Sequence, residues 1–197
     1  MACQATGFAL VLAAVLHYLG CAAYQQGAYA EARDLFQTAL KRAQEIGYQR
    51  GIIRSLYKLG DVAHAVGADH EAAPYYRAAL QTARTIAATP LAVDALLGLA
   101  ALARDAGQVE RAIKLLTAAM GHLSSTSDHE TLDKAERLRA DLAAQVAPQM
   151  LTARADQAHA LTLEAVVTTL LSSGTREVVE VEELRKVADQ TMRQTPW

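Results

Sequence analysis

The chain has 197 residues, 52% hydrophobic but only 5% aromatic, and its 19 Lys and Arg against 21 Asp and Glu leave a net charge of −2. That length allows one globular domain or one short repeat array, and an apolar fraction dominated by Ala and Leu, with four Pro and eleven Gly, excludes a many-turned all-β domain. The near-neutral charge removes any general electrostatic attraction to nucleic acid or anionic membrane, and two cysteines, Cys3 and Cys21, give no metal spacing or disulfide framework and point to reduced thiols in the cytoplasm.

The first element, "GFALVLAAVLHYLGCAAY" at 7–24, reads three ways: a secretory or lipoprotein signal, a membrane span, or the first helix of a packed array. It contains no Asp, Glu, Lys or Arg, and none precedes Glu31. A repeat decides between the readings, because small and apolar residues recur every 40 positions. Gly20, Gly60 and Ala100 form one series; Leu16, Leu56, Leu96 and Leu19, Leu59, Leu99 form two more. Gly27, Gly67, Gly107 follow, then Ala32, Ala72, Ala112, then Phe36, Tyr76, Leu116, then Ala39, Ala79, Ala119. The same register that places Leu16 and Gly20 places Leu56 and Gly60, where no signal or span would be read. A signal also wants a basic leading segment, and a span wants flanking charges; neither is present.

Each unit has the pattern of a helix hairpin. Leu16, Leu19 and Ala23 share one helix face, Gly27 marks a turn that needs φ > 0, and Ala32, Phe36 and Ala39 form a small–large–small stripe on a second helix. Gly20 is expected against Ala32, with the ring of residue 36 filling the space beside them. Such a hairpin must stack on neighbours to be stable, so the nearly all-apolar "FALVLAAVL" is expected to meet an upstream partner or a second copy of the chain. Pro74 falls inside the second helix of the second unit, and a late start or a bend near Ala73 is expected there.

After the third hairpin, "SSTSD" at 124–128 breaks the pattern, with Asp128 as an N-cap for "HETLDKAERLRADLAAQV". Pro148 ends that helix. Residues 149–173 read as two short helices joined near Leu161 with Thr162 as a cap, and 174–197 as a charged helical tail. The expected division is therefore three hairpins over 1–123, capping helices over 124–173 and the tail.

These residues resemble the tetratricopeptide repeat, with its Leu-Gly pair on the first helix and small–aromatic–small pattern on the second. A period of 40 exceeds the usual one of about 34, adding about two turns of helix or a longer connection. That longer unit, and "ALTLEAVVTTLL" near the end, resemble the repeat region of MalT-like and LuxR-type bacterial regulators, multidomain signalling ATPases. The resemblance implies an all-α right-handed superhelix of antiparallel hairpins, an α-solenoid that scaffolds protein or peptide binding. It implies a groove formed by the first helix of each hairpin. His17, Cys21, Tyr24 and Gln25 line it in the first unit, Arg54, Tyr57, Asp61 and His64 in the second, and Asp94, Leu97, Ala101, Arg104 and Asp105 in the third. His17 and Cys21 stand where the carboxylate-clamping variants of the family carry Lys and Asn. The alternative reading is a sensor arm that holds a small-molecule effector.

Catalysis finds no support. Asp61 and His64 share a face, and Asp69, His70 and Glu71 follow, but Asp69 is expected to cap the next helix and no third ligand converges. His122 and His129 flank the serine stretch without a partner. No phosphate loop, dinucleotide fingerprint, zinc-protease motif or nucleophile elbow occurs. The tail is too short for a helix-turn-helix. The expectation is a non-enzyme that needs no cofactor or metal, binds neither nucleic acid nor membrane through this chain, and takes a protein or peptide partner.

Overall fold

The computed structural model describes residues 2–123, 129–145 and 168, and every structural statement here concerns these. They form seven helices and no strand: α1 (Ala2–Gln25), α2 (Tyr29–Glu45), α3 (Gln49–Ala65), α4 (Asp69–Thr85), α5 (Thr89–Asp105), α6 (Val109–Met120) and α7 (His129–Gln145). The pairs α1/α2, α3/α4 and α5/α6 are hairpins; α3 packs on α2, α5 on α4, and α7 on α5 and α6. The expected N-cap Asp128, the stop at Pro148, the helices within 149–173 with Thr162, and the 174–197 tail lie outside the described residues, 168 excepted.

One turn, used five times, sets the spacing of the stack. Helices start at Tyr29, Gln49, Asp69, Thr89 and Val109, every twenty residues. At each turn the middle residue takes a left-handed conformation: Gly27, Gly47, Gly67 and Gly107 at φ 67–76°, and Ala87 at φ 52°. The backbone N–H groups of Gly67 and Ala68 bond back to the carbonyls of His64 and Ala63, and the same two bonds recur at the other four turns. These are Schellman closures, which satisfy the carbonyls a helix end leaves open. The carbonyl of Ala68 then accepts from Ala72, opening the next helix. The family's unit of about 34 residues gives about 17 per helix and turn. The extra residues here are therefore shared equally between the two helices, and the connections stay short.

Phe36 and Tyr76 are fully buried at the centres of the first two hairpins. Gly20 faces the Phe36 ring itself rather than Ala32 alone: a Cβ on Gly20 would sit 2.7 Å from that ring, and one on Gly60 2.7 Å from Tyr76. Tyr76 also presses on Gly98 of the following hairpin, where a Cβ would collide with the ring. The third hairpin has Ala100 and Leu116 at the paired positions. These two departures are one change, since a branched aliphatic side chain in place of a ring leaves room for a methyl group.

On α1 the face toward α2 consists of the buried Ala13, His17, Gly20 and Ala23. The expected stripe is only partly right: Leu19 is 52% exposed, while its counterparts Leu59 and Leu99 are buried. Among the described residues no element packs over that position. By length and composition alone, Gly7–Gln25 would also suffice to cross a membrane.

The expected late start at Pro74 is overturned. Helix α4 begins at Asp69, in step with α2 and α6, and Pro74 lies inside it. The proline is on the solvent side, and so is His70, whose carbonyl loses its donor; water can hydrate that carbonyl while the inner face stays in register. Asp69 is the first helical residue rather than a side-chain cap; the capping position is Ala68.

Candidate interaction face

The first helices of the hairpins, α1, α3 and α5, line up side by side, and α7 lies against this row. Its inward residues Thr131, Ala135, Leu138 and Leu142 are buried. They stand four, three and four positions apart, a stripe along one side of the helix. Polar side chains along it reach α3 as well as α5. Lys134 donates to Asp61 at 2.6 Å, Lys58 pairs with Glu130, Thr131 donates to Asp94 at 2.6 Å, and Arg104 pairs with Asp141.

Asp61 is the hub of this cluster. It accepts from the Tyr76 hydroxyl at 2.7 Å, and Lys58 lies 3.7 Å from its other oxygen. Burial alone would raise its pKa, but Lys134 and Lys58, with hydrogen bonds from Lys134 and Tyr76, hold the carboxyl below its usual range. Burial likewise opposes charge on Lys58, yet Asp61 and Glu130 push its pKa above that of an ordinary lysine. The Lys58 ammonium also lies 5.6 Å from the ring centre of Tyr57 and 5.9 Å from that of Tyr24. Each buried charge is thus partnered, the condition for keeping it in a low-dielectric site.

The residues expected to line a groove have different fates. Tyr57, Asp61 and Asp94 are buried at the α7 contact, and with Lys58, Glu130, Thr131 and Lys134 they line a cleft of about 220 Å³. Leu97 is fully buried core and Ala101 is buried, so neither offers a surface. His64 is bridged between Asp69 at 2.8 Å and Asp105 at 3.2 Å. Arg104 holds Asp105 at 2.7 Å besides Asp141. Arg54 and Gln25 are exposed, and Tyr24 and Cys21 are half-buried.

His17 is buried against the Phe36 ring, 5.6 Å between ring centres, with Nε2 3.7 Å from the Cys21 sulfur. Its Nδ1 has no hydrogen-bond partner among the described residues. Burial first, then the positive charges of Lys58 and Arg54, lowers its pKa to about 4. Burial pushes the Cys21 thiol up, so this Cys–His contact does not form the thiolate a nucleophile needs. Among the described residues no three His, Cys, Asp or Glu side chains converge to hold a metal ion.

Sequence reasoning missed Lys58, Tyr76 as a hydroxyl donor, Glu130, Thr131, Lys134 and Asp141. The available signal was register: Ala135 and Leu138 of α7 lie 40 positions beyond the buried Ala95 and Gly98 of α5. Helix α7 is placed as the first helix of a further unit, so its side chains had to face α5.

No curated protein and no solved structure matches the chain. The family described as Tetratricopeptide repeat matches residues 11–85, from the middle of α1 to the last residue of α4. Over those residues the chain is similar to that family, and the hairpins with their ring-on-glycine packing make the described residues an all-α solenoid of the tetratricopeptide kind.

Proposed function

We propose that this chain is a non-catalytic scaffold that binds a helical segment of a protein partner on the face formed by α1, α3 and α5. The observation that carries this reading is α7. In α7, which continues the row beyond α5, an apolar stripe flanked by an acid, a base four residues on and an acid eleven on pairs with α3 and α5 through Glu130, Lys134 and Asp141, and this supports the same pattern for a partner helix. Tetratricopeptide repeats generally serve as protein-interaction scaffolds, which supports the class of partner. The 40-residue unit and "ALTLEAVVTTLL" support a finer reading, an interaction arm of a cytoplasmic bacterial regulatory system. The effector-sensor alternative is less favoured. The crevice beside His17 and Arg54 is small and open to solvent, whereas a small-molecule site encloses most of its ligand.

A synthetic peptide of residues 129–145 tests the reading by fluorescence anisotropy. The receptor is the full chain with Glu130, Lys134 and Asp141 replaced by Ala, which weakens its own α7. Saturable binding is expected, and it should be lost when the same three residues are Ala in the peptide. Equal binding of both peptides, or of neither, would overturn the proposal.

A further inference from the structure

Helix α3 presents Arg54 one turn before Lys58, and the two cations have different surroundings. Lys58 is taken up by Asp61 and Glu130, whereas Arg54 is exposed and forms no ion pair with any described residue. Arg54 lines a small crevice between α1 and α3 that is open to solvent, with Ala13, Ala14 and His17 on one side, Tyr48 and Ser55 on the other, and the buried Ala39 of α2 behind. Gly51 makes room for the Tyr48 ring at its edge, since a Cβ there would collide with that ring.

Two buried polar groups at the same crevice also lack partners. Ser55 is 2% exposed, and its hydroxyl bonds to no described residue. The hydroxyls of Thr38, Thr82, Thr85 and Thr117 each donate to the carbonyl four residues back, so Ser55 departs from the habit of this chain. His17 is also buried, and its Nδ1 has no hydrogen-bond partner among the described residues. Buried polar groups are normally bonded, and each orphan calls for an explanation. A ligand that accepts hydrogen bonds supplies one, giving Ser55 an acceptor and Arg54 a counter-charge.

Charge limits what that ligand is. Arg54 is the one cation lining the crevice, because His17 is neutral near pH 7. A single negative charge is balanced there; a phosphate dianion is not. A carboxylate only accepts hydrogen bonds, and its two oxygens match the fork of a guanidinium. The short apolar stem of an acidic side chain suits the alanines of the walls. A crevice this open does not enclose a free metabolite, but it can receive a side chain carried in on a larger body.

We propose that the crevice of Arg54, Ser55 and His17 is a subsite for one acidic side chain, Asp or Glu, of a protein partner. The source of that side chain rests on the scaffold reading above. The subsite itself does not, since it uses none of the residues that bond α7.

Titration of the full chain with N-acetylglutamate N-methylamide, followed by NMR of the His17 ring and the Ser55 amide, tests the proposal. Saturable shifts are expected at both positions, and the glutamine analogue, equal in shape but uncharged, should bind at least about tenfold more weakly. Arg54→Gln should weaken binding of the glutamate probe at least about tenfold, and Ser55→Ala about threefold. Arg54 is exposed, so the far-UV circular dichroism of Arg54→Gln should match that of the native chain, which separates lost binding from lost folding. Equal affinity for the two probes, a response that never saturates, or an undiminished response in Arg54→Gln would overturn the proposal. Succinate or inorganic phosphate binding more tightly than the glutamate probe would also overturn it, in favour of a free small-molecule effector or a phosphoryl group. Failure of this titration while the 129–145 peptide still binds would remove the subsite alone. The reverse result would remove the helix-binding reading and leave the acid subsite standing.

Discussion

Ala87 does the work of a glycine at the turn between α4 and α5 and carries a Cβ in a left-handed backbone. That conformation costs roughly 1–2 kcal/mol for a residue other than glycine, less the flexibility a glycine adds to the unfolded chain. Ala87→Gly is therefore expected to stabilise the protein by about 0.5–1 kcal/mol in urea unfolding. His17 makes a different forecast. The unfolded imidazole takes up a proton near pH 6.5, the folded one only near pH 4. Between those values the unfolded state binds more protons, so stability falls as pH drops through that interval, by an amount on the order of 3 kcal/mol at most. His17→Leu should flatten that part of the stability profile and remove a buried ring nitrogen that has no partner. In the Asp61 cluster, Asp61→Ala should destabilise by about 3–5 kcal/mol, because it removes the buried carboxylate that Lys58, Lys134 and Tyr76 share. Glu130→Ala, at a half-exposed position, should cost less than about 1 kcal/mol. Since the Asp61 pKa is depressed, its share of stability is present above the ordinary carboxyl range and is lost as acid carries the pH below it.

Helix α4 keeps its register despite Pro74, and the expected cost sits in one missing hydrogen bond and local crowding on the wet side. Pro74→Ala is thus expected to raise the midpoint of denaturant unfolding, equivalent to about 1–3 kcal/mol. The elements that could be read from sequence share a cause. Glycine at 27, 67 and 107 and the rings at 36 and 76 are residue types that a turn or a close contact demands, so the identity alone is informative. The intervening turns escaped because Gly47 has its counterpart in Ala87, and that alanine hides the twenty-residue spacing inside the forty. That 129–145 is helical was legible, while its seating was not. The signal for seating is which face carries Ala135, Leu138 and Leu142, and that stripe gains meaning only once α5 and α6 exist to receive it. Leu97 was misread in the same way: its position along α5 marks it as outward, and the packed stack makes it interior.

At the level of the molecule, each hairpin packs on its neighbours, and apart from the ionic contacts of α7 with α3 stability is approximately a sum of local terms. Helix α7 is held to this stack by an apolar inner stripe with ionic flanks. Raising ionic strength should loosen the half-exposed pairs that α7 makes through Glu130 and Asp141, seen as faster amide exchange in 129–145 than in α3 or α5.

The ring of Tyr76, wedged between Gly60 before it and Gly98 after it, makes the three hairpins non-interchangeable despite their common cadence. If gene duplication or design shuffled them, the tyrosine-bearing hairpin would need a glycine-bearing successor, and no other junction in the chain supplies one. The order of the units is therefore written into a single aromatic side chain, and lengthening this solenoid would require copying the tyrosine together with the glycine that receives it.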